Sequence, residues 1–217
     1  MKRVVCWVME LEMKRVVCWV MALVSMLMLL CKPDGGDGKI QVHEYVDLGL
    51  SVKWATCNVG ADNPEDYGHY FAWGETSPKE EYTEENCSTY EKEMSDISGN
   101  AEYDAATANW GDRWRMPTKA EQQELLNSCT WTWIRQNGVN GYNVKGPNGN
   151  SIFLPAAGVR DGSSLNFAGS GGYYWSSTPY GYGYDCNACS LDFYSDGQDV
   201  DSGYLRYVGQ SVRPVVE

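Results

Sequence analysis

From Thr130 to Gly158 the chain reads TWTWIRQNGVNGYNVKGPNGNSIFLPAAG, with apolar and aromatic residues alternating between Asn-Gly pairs. Asn-Gly supplies the positive φ angles of a tight hairpin turn, and period-two alternation lays one face of each run on a core. A chain carrying this stretch builds antiparallel sheet, and helix has to be placed around it. Just upstream, Thr118-Lys119-Ala120-Glu121 has the pattern of a capping box, and Leu125 and Leu126 provide an apolar face, so a helix is predicted from about Lys119 to Ser128. Residues 104–118 (DAATANWGDRWRMPT) begin as a short helix, break at Gly111 and run into Pro117. Residues 44–60 (EYVDLGLSVKWATCNVG) read as two strands around Gly49, with Val52 and Trp54 on one face, and 66–76 (DYGHYFAWGET) as a further strand. Thr76–Asn100 is polar and acidic without periodic apolar residues, and reads as a long surface loop outside the core. Residues 205–216 (LRYVGQSVRPVV) read as a closing strand. The expected class is α+β, with few helices and many short, mostly antiparallel strands.

The first nine residues, MKRVVCWVM, recur at 13–21, so residues 1–12 read as a duplicated start. Lys14-Arg15, the apolar run Val16–Leu30 and the polar KPDGGDGK after Cys31 compose a signal peptide over 1–31. The apolar run is shorter than the roughly 20 residues that span a bilayer. A cysteine closing such a run resembles the lipobox of bacterial lipoproteins, which implies lipidation at Cys31. Here Leu30 stands where that pattern has a small residue. Residues 32–42 are then a Gly/Asp linker and 43–217 the single domain. The expected location is the cell envelope or outer surface, with the membrane engaged only through the lipid.

Three of the eight cysteines belong to the leader, leaving Cys57, Cys87, Cys129, Cys186 and Cys189. An odd number in an oxidising compartment leaves at least one thiol without an intramolecular partner, and Cys57 with Cys129 is the pairing expected here. The formal charge of -12 disfavours nucleic acid and anionic lipid surfaces as partners. Fifteen Tyr and nine Trp against four Phe suit wet contact surfaces.

The blocks VDLGLSVKWATCNVG, YFAWGET, NWGDRWRMPTKAEQQELL, NGNSIFLPAAG, GYYWSST and GQSVRPV together resemble the Fibrobacter succinogenes major paralogous domain family over residues 44–217. The WRMPTKAEQQELL and SVRPV blocks also resemble the formylglycine-generating-enzyme-like branch of the C-type lectin fold. The resemblance implies a C-type-lectin-like domain and leaves activity open. That branch includes receptors whose C-terminal segment is varied by diversity-generating retroelements, and residues 177–206 (STPYGYGYDCNACSLDFYSDGQDVDSGYLR) have a compatible composition. Tyr offers rigid amphipathic contact area while Ser, Gly, Asn and Asp add adaptable hydrogen bonds, as in antibody paratopes. The same composition also suits a fold filling its last sheet. The expected ligand-binding residues are Tyr180, Tyr182, Tyr184, Asn187, Asp192, Tyr194, Asp199 and Tyr204, with a protein or glycan as partner and no catalytic role.

Other chemistry finds less support. The Cys186/Cys189 pair invites comparison with a copper- or thiol-dependent oxidase, but the spacing and flanks of the formylglycine-generating family are not reproduced, and two cysteines in a loop are the simpler reading. His43 and His69 stand in no metal or nucleophile spacing, and Ser176-Ser177-Thr178 lacks a nucleophile-elbow context. Asp192, Asp196, Asp199 and Asp201 offer oxygen ligands for Ca²⁺ without an EF-hand spacing or a lectin sugar motif, so no cofactor is expected. Trp54, Trp73, Trp110, Trp114 and Trp175 read as core anchors, and Arg213 as a buried structural residue. A structural subunit of a surface coat or filament is the remaining alternative.

Overall fold

The computed structural model describes residues 43–181 and 185–217. The domain is α+β, with two helices, α1 (Ala105–Trp110) and α2 (Lys119–Ser128), among the described residues. Twelve strands follow in chain order: β1 (Tyr45–Val46), β2 (Lys53–Ala55), β3 (Thr130–Gln136), β4 (Val139–Lys145), β5 (Ser151–Pro155) and β6 (Val159–Asp161), then β7 (Ser164–Asn166), β8 (Gly171–Pro179), β9 (Asn187–Tyr194), β10 (Gly197–Asp199), β11 (Gly203–Leu205) and β12 (Val215–Val216). All strand pairings are antiparallel. They make a β1-β2-β12 sheet, a β3-β4-β5 meander, the β6-β7 hairpin and a sheet centred on β9.

Local chemistry accounts for the two helices. The Asp104 carboxylate caps α1 by accepting from Ala106 N and Thr107 N, and Gly111, at φ 89°, ends it. The Thr118/Glu121 capping box forms as expected and starts α2. Arg115 holds the same Glu121 carboxylate at 2.6 Å. Asn137-Gly138 turns β3 into β4, both residues having positive φ.

Strand β9 organises the rest. At its C-terminal end Asp192 pairs with Tyr173 of β8 on one side and with Asp199 of β10 on the other. At its N-terminal end Ala188 pairs with Pro179 and with Tyr204 of β11. Alternation sends Leu191, Phe193 and the neighbouring Tyr174 into a core with Trp54, Leu125, Tyr142, Val144 and Val215. Tyr173, Trp175 and Ala188 face a second core with Phe71, Trp73, Met116 and Val212. Helix α2 docks through Leu125 and through Gln122 Nε2, which donates to Tyr174 O at 3.0 Å.

Several expectations are corrected. Residues 66–76 form a single bridge, Phe71 with Gln210, in place of a strand, because Phe71 and Trp73 bond to separated residues, Gln210 and Arg206. The acidic stretch 76–100 is irregular as expected, but it is not outside the core: Tyr82, Cys87, Thr89 and Ile97 are buried. The closing strand contracts to Val215–Val216, although bridges at Gly209, Gln210 and Ser211 and the β12–β2 pairing tie the C-terminus in. Cys57 and Cys129 do not pair, and all five described cysteines are free: Cys129 packs against the first core, while Cys57 Sγ lies 3.6 Å from its neighbour Thr56 Oγ1. Trp54, Trp73, Trp114 and Trp175 are buried anchors, but Trp110 is half-buried, with His43 stacked on it at 3.6 Å. Arg213 is buried as expected. Among the described residues no helix is long and apolar enough to cross a membrane.

Candidate functional site

The C-terminal segment singled out by composition is built on the β8-β9 hairpin and its two short partners. Of its eight expected binding residues, Tyr182 and Tyr184 lie outside the described residues, as does Cys31. The other six divide between the two sides of the sheet. Asp192 and Tyr194 are two apart on β9 and share a face with Tyr204, whose register partner is Ala188. Asn187 is on the opposite parity, and its side-chain amide donates to Gly203 O at 3.2 Å. The Tyr180 ring lies over Gly203, where a Cβ would meet it at 2.5 Å. That contact puts Tyr180 on the side away from Tyr204, the residue next to Gly203.

On the Asp192 side the rings gather. Tyr173 is the centre, buried, with Tyr194 edge-on at 6.0 Å, Tyr204 edge-on at 5.4 Å and Phe167 tilted at 6.1 Å. The Tyr173 and Tyr194 hydroxyls share a hydrogen bond. Phe167, which has a positive φ of 59°, is 53% exposed and forms the outer edge of the cluster. Phe167 and Tyr173 were not among the expected residues, because GGYYWSST is buried on both faces and carries no alternation to single out one of them. Burial pushes the Tyr204 phenol up to about 12 and Tyr173 higher, so both keep their protons at neutral pH.

Asp192 stands beside Tyr173 and across from Asp199. Burial, with a smaller contribution from the Asp199 charge, lifts its carboxyl to about 6, opposed by the nearby Ser202 hydroxyl. One of its oxygens, Oδ1, is buried without a donor. Asp199 differs: it is exposed, accepts from Asp201 N at 2.9 Å and Ser202 Oγ at 3.0 Å, and those bonds hold its carboxyl below the usual range.

At the other end of the hairpin a groove of about 710 Å³ opens between Glu93–Asp96 and Thr178, Pro179, Gly181 and Asp185, with Arg206 among its lining residues. Arg206 is buried, lies over the Trp73 ring at 4.5 Å and donates to Thr89 O, Lys92 O and Asn187 O. Its hydrogen bonds are taken by backbone carbonyls, while Glu93, Asp96 and Asp185 contribute negative charge to the walls.

The cysteine pair is not a loop pair, because β9 begins at Asn187 and includes Cys189. Cys186 lies in the turn just before the strand, and neither thiol is in a disulfide. Cys189 is buried with Sγ 3.6 Å from Pro179 O, and burial raises its pKa, whereas Cys186 donates to Asn187 Oδ1. Among the described residues no three His, Cys, Asp or Glu side chains gather as metal ligands. No family model, curated protein or solved structure matches this chain.

Proposed function

We propose that this chain is an exported, lipid-anchored binding protein of C-type-lectin-like fold whose C-terminal segment recognises a protein or glycan. The observation that carries this reading is the groove of about 710 Å³ that Thr178, Pro179, Gly181 and Asp185 share with the acidic stretch. Its volume lies within the few hundred to about 1,000 Å³ usual for small-ligand clefts. The Tyr/Gly/Asp composition of the surrounding segment suits adaptable contact. The resemblance to the major paralogous domain family supports the fold, and the apolar run ending at Cys31 supports export and lipidation. Retroelement variation of residues 177–206 belongs to the same proposal, and sequencing the flanking DNA for a near-copy of those codons tests it.

Full chain is applied to glycan and surface-protein arrays beside a Glu93→Arg/Asp185→Arg variant. Binding that falls at least tenfold in the variant, with thermal unfolding unchanged, is expected. An array that stays dark for the wild type overturns the receptor reading and favours a coat or filament subunit, which sedimentation of the chain would then reveal. For the anchor, Cys31→Ala is expected to lose fatty-acid labelling and leave the membrane fraction; retained label removes Cys31 from the proposal.

A further inference from the structure

We infer that the outer edge of β3 is a dimer interface, on which a second copy of this chain pairs its own β3, antiparallel, about a two-fold axis at Trp133. Strand β3 bonds on one side only, to β4, and no other strand among the described residues pairs with it. The parity of its backbone is fixed by its neighbours. Ala156 N donates to Asn140 O at 2.8 Å, and Pro155, which has no N–H, stands opposite Gly141, so Asn140, Tyr142 and Val144 bond to β5 and the alternate residues of β4 bond to β3. Through the β3-β4 register, Thr130, Thr132, Ile134 and Gln136 then face β4, while Trp131, Trp133 and Arg135 turn their N–H and C=O groups outward. The other outer strands are covered or short: β8 is met along its far side by Gly158 and Ser211, β5 is largely buried and ends at Pro155, and β1, β6, β7, β10 and β11 have two or three residues each. With seven residues, no bulge and no proline, β3 is the kind of edge that templates another strand.

The strand's own pattern identifies the occupant as a second copy. With the axis at Trp133, that residue meets its own counterpart and Trp131 meets Arg135 of the second copy, so every outward residue is paired and each pair exchanges both of its hydrogen bonds. Moving the axis to Thr132 or Ile134 leaves one of the three without a partner. Arg135 is the only charged residue of the strand, and the Trp133 register sets it against an indole, where a cation is attracted, and not against another Arg135, where it would be repelled. Trp131 and Trp133 are half-buried, edge-on to Tyr142 at 5.4 and 5.1 Å, and pairing carries that aromatic row across the boundary. A two-fold contact closes on itself, so it makes dimers and does not propagate into a filament. It is independent of the receptor reading, because none of the residues lining the groove belongs to β3.

Full-length protein is followed by sedimentation velocity and by NMR amide exchange over about a hundredfold range of concentration. A monomer–dimer equilibrium is expected, and with it slowing of about tenfold in the exchange of the Trp131, Trp133 and Arg135 amides at the high end, while Thr132 and Ile134, already bonded to β4, stay slow throughout. Arg135→Pro removes an outward N–H that the β4 ladder does not use and is expected to weaken association at least tenfold. Arg135→Glu keeps that N–H, loses the attraction to the indole and is expected to weaken it severalfold; it carries the test if the proline variant does not fold. Association that neither substitution weakens, as through the leader, overturns the proposal. So do outward amides that stay fast at every concentration, or that are already slow at the lowest, where the edge is covered within one chain.

Discussion

Asp104 and Asp192 show two ways a carboxylate is buried. Asp104 is fully buried and accepts four backbone N–H groups: Ala106 and Thr107 on Oδ1, Gly99 and Met116 on Oδ2, at 2.8–3.0 Å. It caps α1 and ties it to the strand-like run before Pro117. Asp104→Ala strands those donors and is expected to lower the unfolding free energy by about 3 kcal/mol, read by urea denaturation. Asp192 has no such cradle, and its carboxyl stands near 6 against the ordinary aspartate value of about 3.9. A folded value raised above the unfolded one contributes stability that is full below about pH 4 and lost as pH rises through about 6. Wild type and Asp192→Asn are therefore expected to melt together near pH 4 and to separate by pH 7, with the variant higher. Melting curves across that range check the sign.

Elements follow from local rules where neighbours in sequence supply the partners. The helix over Lys119–Ser128 was legible because Thr118 and Glu121 satisfy each other's backbone within one turn. The β3-β4 hairpin was legible because Asn137-Gly138 carries its own positive φ angles. Strand β8 was not, since GGYYWSSTP is buried on both faces and its period-two signal is flattened. Its glycines have a packing reason: a Cβ on Gly172 would sit 2.2 Å from Phe193 Cζ across the pair. Gly172→Ala is expected to cost about 2 kcal/mol by forcing the hairpin apart, measured by thermal or chemical unfolding.

Across the whole molecule two buried arginines join segments that are distant in sequence. Arg206 fastens the acidic stretch to β9 through Thr89 O, Lys92 O and Asn187 O. Arg213 reaches back to Ala55 O, Thr56 O and Asn58 Oδ1, while burial pulls its pKa down and its Nη2 has no partner. Neither guanidinium has a carboxylate among these hydrogen-bond partners, so the planar donor fork is what each site uses. Arg213→Lys retains the charge without the fork and is expected to lose about 2 kcal/mol, nearly as much as Arg213→Met. Equal stability of Arg213→Lys and wild type would show that charge alone suffices there.

The sequence by itself determined the α+β class, the two helices with their caps, the β3-β4 turn and the burial of four of the five tryptophans singled out, because each rests on neighbours a few residues apart or on bulk and hydrophobicity. Only the tertiary structure decided that the acidic stretch enters the core, that residues 66–76 forgo a ladder, and that the expected binding residues split between two sides of β9. Those outcomes depend on partners some 100 residues away and on strand parity, in which a shift of one position reverses the face of every side chain. The opposed pair of Asp192 and Asp199 is the sharpest case: seven positions apart in sequence, they become neighbours only through the register of β9 and β10.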